Sequence, residues 1–274
     1  MKKYLTLGSC LKGEESYMLD FVKYHRHVGV EHFIFLDRTF DGLYQLLGQE
    51  PDVQIIHFPE SPENIHQQAW ANLITMNKGQ TKWLALIDAD QALVPVISSD
   101  VRDILKDYEN NASLQCNWKA FGSSHHEKRE AGSVYERFLL TSLDDSEYNY
   151  HTQMICQPDR VLGQKTPEPH YPLLPEGEIL INTNKEQIDS NKMVALNPGR
   201  PLSFNVPPLH NILYINHYTN KSKEEFLIKN SKGRADIFGA KMPLEQFEQY
   251  EAQCNVKIDE RAFNLWKEAN EIKS

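Results

Sequence analysis

Apolar positions in the first hundred residues alternate between two spacings. The short apolar run from Tyr4 to Ser9 reads as a strand. Tyr17, Phe21 and His25, with Met18, Val22 and Val28, then recur at steps of three and four, and Gly29 supplies a stop. His32 to Leu36 predicts a second strand ending at Asp37, with Asp41-Gly42 as turn residues, and Val53 to Phe58 predicts a third. Ser61 is a candidate N-cap with Pro62 in the first turn, and Ile65, Ala69, Leu73 and Met76 form the helical stripe that follows. Trp83 to Ile87 is unbroken apolar sequence, as in a strand covered on both faces, and it runs straight into Asp88-Ala89-Asp90. Strands and helices alternating at this length imply right-handed crossovers and a mainly parallel sheet.

From about Ser113 to Leu180 the pattern changes. Leu114 to Trp118, Val134 to Leu140 and His151 to Gln157 read as short strands between polar loops, and Pro167, Pro169, Pro172 and Pro175 rule out a continuous helix. A last strand, Ile212 to Asn216, leads into His217-Tyr218. Ser222 with Glu225 fits a capping box opening a helix. The tail from Pro243 reads as helical, with Phe263 and Trp266 on one side. With no internal repeat and no linker, the expectation is one α/β domain over residues 1–236, with residues 237–274 as a helical extension packed on it.

Composition narrows the partners. The 274 residues are 40% apolar and 24% charged, as in an ordinary globular chain, and the formal net charge is -9. That balance argues against nucleic acid as a partner, because such proteins carry a basic face. An acidic protein that handles an anionic substrate must supply positive charge locally, from a metal or a few placed Lys and Arg. Cys10, Cys116, Cys156 and Cys254 are scattered without paired spacing, which reads as reduced thiols in a cytoplasmic protein rather than a zinc or redox motif. Met1 to Leu7 has too few apolar residues for a signal peptide or a membrane span. Contact with a membrane would therefore be peripheral.

Candidate chemistry centres on Asp88 and Asp90. Ligands of an open parallel sheet sit outside the carboxyl ends of its strands. Two carboxylates about 5 Å apart there repel by roughly 3 kcal/mol at an effective dielectric near 20. A divalent cation offsets that cost, and oxygen ligands favour Mn²⁺ or Mg²⁺. An ordinary turn is the alternative reading of the same tripeptide.

Further residues carry a resemblance. They are Lys12-Gly13-Glu14, Asp20-Phe21-Val22-Lys23-Tyr24-His25, Gly29 to Phe33, Gln68, and the strand ending in Asp88 and Asp90. They continue with Trp118 to Ser124, Glu136-Arg137-Phe138, His151-Thr152, His170, Ile215-Asn216-His217-Tyr218, Ser222, Glu225, Phe226, Lys229 and Gly233. In this order they resemble glycosyltransferase family 92-like proteins of the family 2 superfamily. The resemblance implies a GT-A fold, meaning a Rossmann-like, mixed but mainly parallel sheet flanked by helices. It further implies a nucleotide-diphosphate-sugar donor, probed first as a UDP-sugar, and a glycan or glycoconjugate acceptor. It implies Mn²⁺ or Mg²⁺ held by Asp88 and Asp90, with His217 as a further ligand oriented by Asn216 or Tyr218.

Donor contacts are expected at strand ends, from Glu14 after the first strand, Asp37 at the end of the second, and Asp88. Gln68 and Asn72, one helical turn apart, and Lys229, Lys232 and Arg234 are further donor candidates, the last three toward the diphosphate. For an inverting transfer the base candidates are His126, Glu127 and Glu136, with Glu136 alternatively a structural strand residue. The Pro-rich loop at 164–178 and the tail beyond Pro243 are the candidate acceptor-facing elements. The chain departs from the family pattern at Gly13 (Asn), Arg38 (Asn), Gln91 (Glu), Gln153 (Lys) and His125 (Gly), and Asp41 is displaced by about one position. Two alternatives remain. A sugar nucleotidyltransferase would want a more Gly-rich phosphate loop than the one around Gly13. An inactive carbohydrate-binding scaffold fits the departures but not the retained aspartates.

Overall fold

The computed structural model describes residues 2–39, 42–58, 65–164, 170–189, 204–231 and 242–271. Its first half alternates as the apolar spacing requires. Strand β1 (Lys3–Leu11) leads to α1 (Glu15–His27), β2 (His32–Asp37) to α2 (Leu43–Leu47), and β3 (Val53–His57) to α3 (Ile65–Asn77). Then come β4 (Thr81–Leu86), β5 (Gln91–Pro95), α4 (Val101–Leu105) and β6 (Ser113–Ala120). The second half holds short elements, α5 (Val134–Arg137), β7 (Leu140–Thr141), β8 (Thr152–Cys156), β9 (Gly163–Gln164), β10 (Pro172–Leu173) and β11 (Ile181–Asn182). It ends with β12 (Leu213–His217), α6 (Lys223–Ser231), α7 (Leu244–Cys254), β13 (Lys257–Ile258) and α8 (Arg261–Glu271).

One sheet organises the chain, in the order β3-β2-β1-β4-β8-β6-β12-β5, with β11 beside β6. The pairs β3/β2, β2/β1, β1/β4 and β6/β12 are parallel, while β4/β8, β8/β6 and β12/β5 are antiparallel. This is the mixed, mainly parallel Rossmann-like sheet expected of a GT-A fold. The period-two alternation of a strand divides its side chains between two cores. Phe33 and Phe35 of β2 and Trp83 and Ala85 of β4 face the larger core with α1 and α8. Ile34, Leu36, Leu84 and Leu86 face the smaller one with α3. Both faces are covered, so β4 reads as a continuous apolar run.

Several expectations shift in detail. Val134 to Arg137 is a one-turn helix, not a strand. Ser133 caps it and the Glu136 carboxylate accepts from the Ser133 amide, so Glu136 closes a capping box. On α3 Ala69, Trp70, Leu73, Ile74 and Asn77 are buried, and Met76 is exposed. The Ser61-Pro62 cap, Asp41, Pro167, Pro169, Lys232, Gly233 and Arg234 lie outside the described residues. The described part of the C-terminal segment packs against the larger core. Ala262, Leu265 and Trp266 are buried in the larger cluster, while Phe263 is only half-buried. Asp259 accepts from the buried Lys119 ammonium at 2.5 Å and from Tyr214 Oη at 3.0 Å. All four cysteines are free thiols.

Candidate active site

Register explains why Asp90 and His217 meet. Antiparallel pairing of β5 with β12 sets Gln91 opposite His217, and the Tyr218 amide donates to the Asp90 carbonyl at 2.8 Å. The preceding residue of one strand is thereby pinned to the following residue of the other. His217 Nε2 lies 3.7 Å from Asp90 Oδ1. Lys229 Nζ, reaching down from α6, sits 2.5 Å from Asp90 Oδ2 and also donates to the Thr219 carbonyl at 3.2 Å. Burial alone would raise the Asp90 pKa, but the Lys229 ammonium, then His217 and Lys221, outweigh it and hold the carboxyl below its usual range. Burial lowers His217 to about 4 despite Asp90, so at neutral pH its imidazole is uncharged and keeps a lone pair. Trp118 from β6 packs on that ring at 4.2 Å between centroids and stacks on His151 at 4.7 Å. Asn216 and Tyr218, expected to orient His217, bond to each other instead, at 2.8 Å. Packing on Trp118 takes over that role.

Asp88 occupies the other side of the turn. Gln91 brackets it, accepting from the Asp88 amide at 3.0 Å and donating to Asp88 Oδ2 at 3.2 Å. Because a carboxylate cannot donate, Gln91 does here what the Glu of the family pattern cannot. Burial raises the Cys10 thiol pKa, with Arg38 opposing and Asp88 and Asp37 adding to it, so Asp88 lies near the carboxyl end of β1. Asp37 is buried, and its Oδ1 accepts from the Thr39 amide at 3.0 Å, closing a local turn. Glu14 lies 3.5 Å from Lys221 Nζ.

Lys221 is the residue that sequence reasoning missed. Its side chain is 4% exposed, its Nζ lies over the Tyr17 ring at 4.2 Å, and its backbone is left-handed with φ 56. A non-glycine residue held there is a strain that surrounding contacts must sustain. The only signal in the sequence was a lysine immediately before the Ser222 cap. That cap is anchored by a buried network. Glu225 accepts from Arg137 at 2.9 and 3.0 Å, from Tyr17 Oη at 2.6 Å and from Ser222 Oγ at 2.6 Å.

The remaining candidates are scattered. Gln68 and Asn72 are exposed on α3. His126 donates from Nε2 to the Arg137 carbonyl at 3.0 Å, and Glu127 is exposed, with Lys223 at 3.8 Å. Both line a cavity of about 260 Å³ with His125, Lys223 and Glu251. Glu136 lines a separate cavity of about 640 Å³ with Asp20, Arg129 and Trp266. Of the metal-ligand expectation, the structure brings Asp90 and His217 together. Among the described residues no group of three His, Cys, Asp or Glu side chains converges as a metal cluster, so Asp88 does not complete a preformed triad with them.

A Rossmann-like sheet with carboxylates, an imidazole and two ammonium groups at its strand ends defines an α/β protein whose candidate site lies at the carboxyl edge of the sheet, where such folds bind ligands. The sequence profile of glycosyltransferase family 92 matches residues 7–188, a span that includes Asp88 and Asp90. The chain belongs to glycosyltransferase family 92 and is a glycosyltransferase. No curated protein sequence matches it. The solved structure of 4-diphosphocytidyl-2C-methyl-D-erythritol synthase is similar over 59% of this chain and 78% of its own, at 14% identity and a TM-score of 0.34. Among the described residues no helix is long and apolar enough to cross a membrane.

Proposed function

We propose that this glycosyltransferase moves a sugar from a nucleoside-diphosphate sugar, with a UDP-sugar as the first donor to test, to a hydroxyl of a glycan acceptor by inverting displacement. The observation that carries the reading is the grouping of Asp90, His217, Lys229 and Lys221 beside the carboxyl ends of the central strands. Within this grouping, Asp90 and His217 are the pair that would ligate a divalent cation. Asp90 Oδ1 and His217 Nε2 are an oxygen and a neutral nitrogen 3.7 Å apart, close enough to be neighbouring ligands of one ion with bonds of about 2.0–2.2 Å. Bound Mn²⁺ or Mg²⁺ would stabilise the charge that develops on the leaving nucleoside diphosphate.

The chain's own groups would do the rest. Lys221, buried against Glu14 and Tyr17, would add a fixed positive charge behind the diphosphate site. Asp88, held by Gln91, and Glu14 offer carboxylates to the donor's hydroxyls. His126 and Glu127, on one cavity wall beside the start of α6, are the base candidates for the acceptor proton, whereas the Glu136 carboxylate is committed to its cap. Incubation with a panel of nucleotide sugars and Mn²⁺ tests the reading. Release of nucleoside diphosphate from at least one donor is expected, and none from any donor would refute it.

A further inference from the structure

Asp90 is 8% exposed at its side chain, and a carboxylate that deep in the protein needs a counter-charge. Its two oxygens are divided, with Lys229 Nζ at 2.5 Å from Oδ2 and His217 Nε2 at 3.7 Å from Oδ1. The two lysines of the site differ in how they are held. Lys221 is 4% exposed and wedged between Glu14 and Tyr17. The Lys229 side chain is 44% exposed, and its second bond is a single 3.2 Å contact to the Thr219 carbonyl. The start of α6 is anchored by the buried Arg137–Glu225 pair, so the Lys229 stem can swing while its helix stays in place.

We infer that Lys229 is the resident counter-cation of Asp90 and that a divalent cation enters by exchange with it, the ammonium passing to the donor's diphosphate. This rests on the metal-assisted reading above and adds an order of events. An ammonium and a divalent ion on one carboxylate repel, so cation alone binds against Lys229. When the diphosphate arrives it supplies an anion to receive the lysine and further oxygens for the ion. Cation and nucleotide therefore bind cooperatively, and each strengthens the other by the same factor.

Equilibrium dialysis of Mn²⁺ against the intact chain, with and without UDP on both sides, tests this. The wild type should bind Mn²⁺ weakly alone and at least about tenfold more tightly with saturating UDP. Lys229→Gln should bind Mn²⁺ alone about tenfold more tightly than the wild type and lose most of the UDP effect, while Lys229→Arg should behave as the wild type does. If Lys229→Gln gains no affinity for Mn²⁺ alone, the exchange is overturned. Loss of UDP-dependent Mn²⁺ binding in Asp90→Asn would then still uphold the metal reading. A wild type that binds no Mn²⁺ even with UDP would overturn both.

Discussion

At Gly13 and His125 the backbone is left-handed, with φ 68 and 66. These are two of the positions where the chain departs from its family's pattern. Asn and Gly are the residues that adopt this conformation most readily, so Asn and Gly are interchangeable at position 13. At position 125 the family's Gly is the relaxed choice and His carries the strain. His125→Gly should stabilise the fold by up to about 1 kcal/mol, read as a higher urea midpoint at unchanged m-value. His25 is another case where geometry explains a motif. It is fully buried, donates from Nδ1 to the Phe21 carbonyl at 2.8 Å and accepts from the Leu93 amide at 3.2 Å, tying α1 to β5. Burial lowers its pKa from the ordinary 6.5 to about 3. Above pH 6.5 both folded and unfolded chains hold it neutral. Below that, the unfolded chain takes up a proton that the fold refuses, so stability falls as the pH drops toward 3. The slope contributed is at most about 1.4 kcal/mol per pH unit. Between pH 7 and 5 the unfolding free energy of the wild type should fall more steeply than that of His25→Gln, the difference in slope being His25's share, since His217, His32 and His210 contribute to both.

Helix α6 shows what an element's own sequence can reveal. The Ser222/Glu225 capping box was legible because both partners are local. That Glu225 also faces Arg137 was not, since nothing local to either residue records the other. Burial would raise the Glu225 pKa, but its bonds from Arg137, Ser222 and Tyr17 lower it to about 2. Arg137→Met leaves that carboxylate buried without its charge partner and should cost about 3–5 kcal/mol, measured by denaturant unfolding. If the loss is under 1 kcal/mol, the pair does not anchor the helix. Helix α5 was misread because Val134, Tyr135 and Phe138 suit a strand equally well. The Ser133 cap decides the matter within one turn.

For the whole molecule, the parallel half of the sheet was legible from the alternation of strand and helix, and so was the position of Asp88 and Asp90 at a strand end. The partner of Asp90 was not. It depends on β12 returning to pair with β5, a register set by contacts far apart in sequence. His217 was reached only through the family resemblance, and Lys221 was not reached at all. The C-terminal segment's share of the core was invisible for the same reason, since Trp266 completes a surface made by α1 and α5. The central claim is that Asp90, compensated by Lys229 and beside His217, is the charge centre of sugar transfer. Its most direct test is the turnover of Asp90→Asn on whichever nucleotide sugar the wild type uses, with circular dichroism establishing that the variant is folded. A loss of at least about 10²-fold in kcat/KM is expected. Turnover within threefold of the wild type would contradict it.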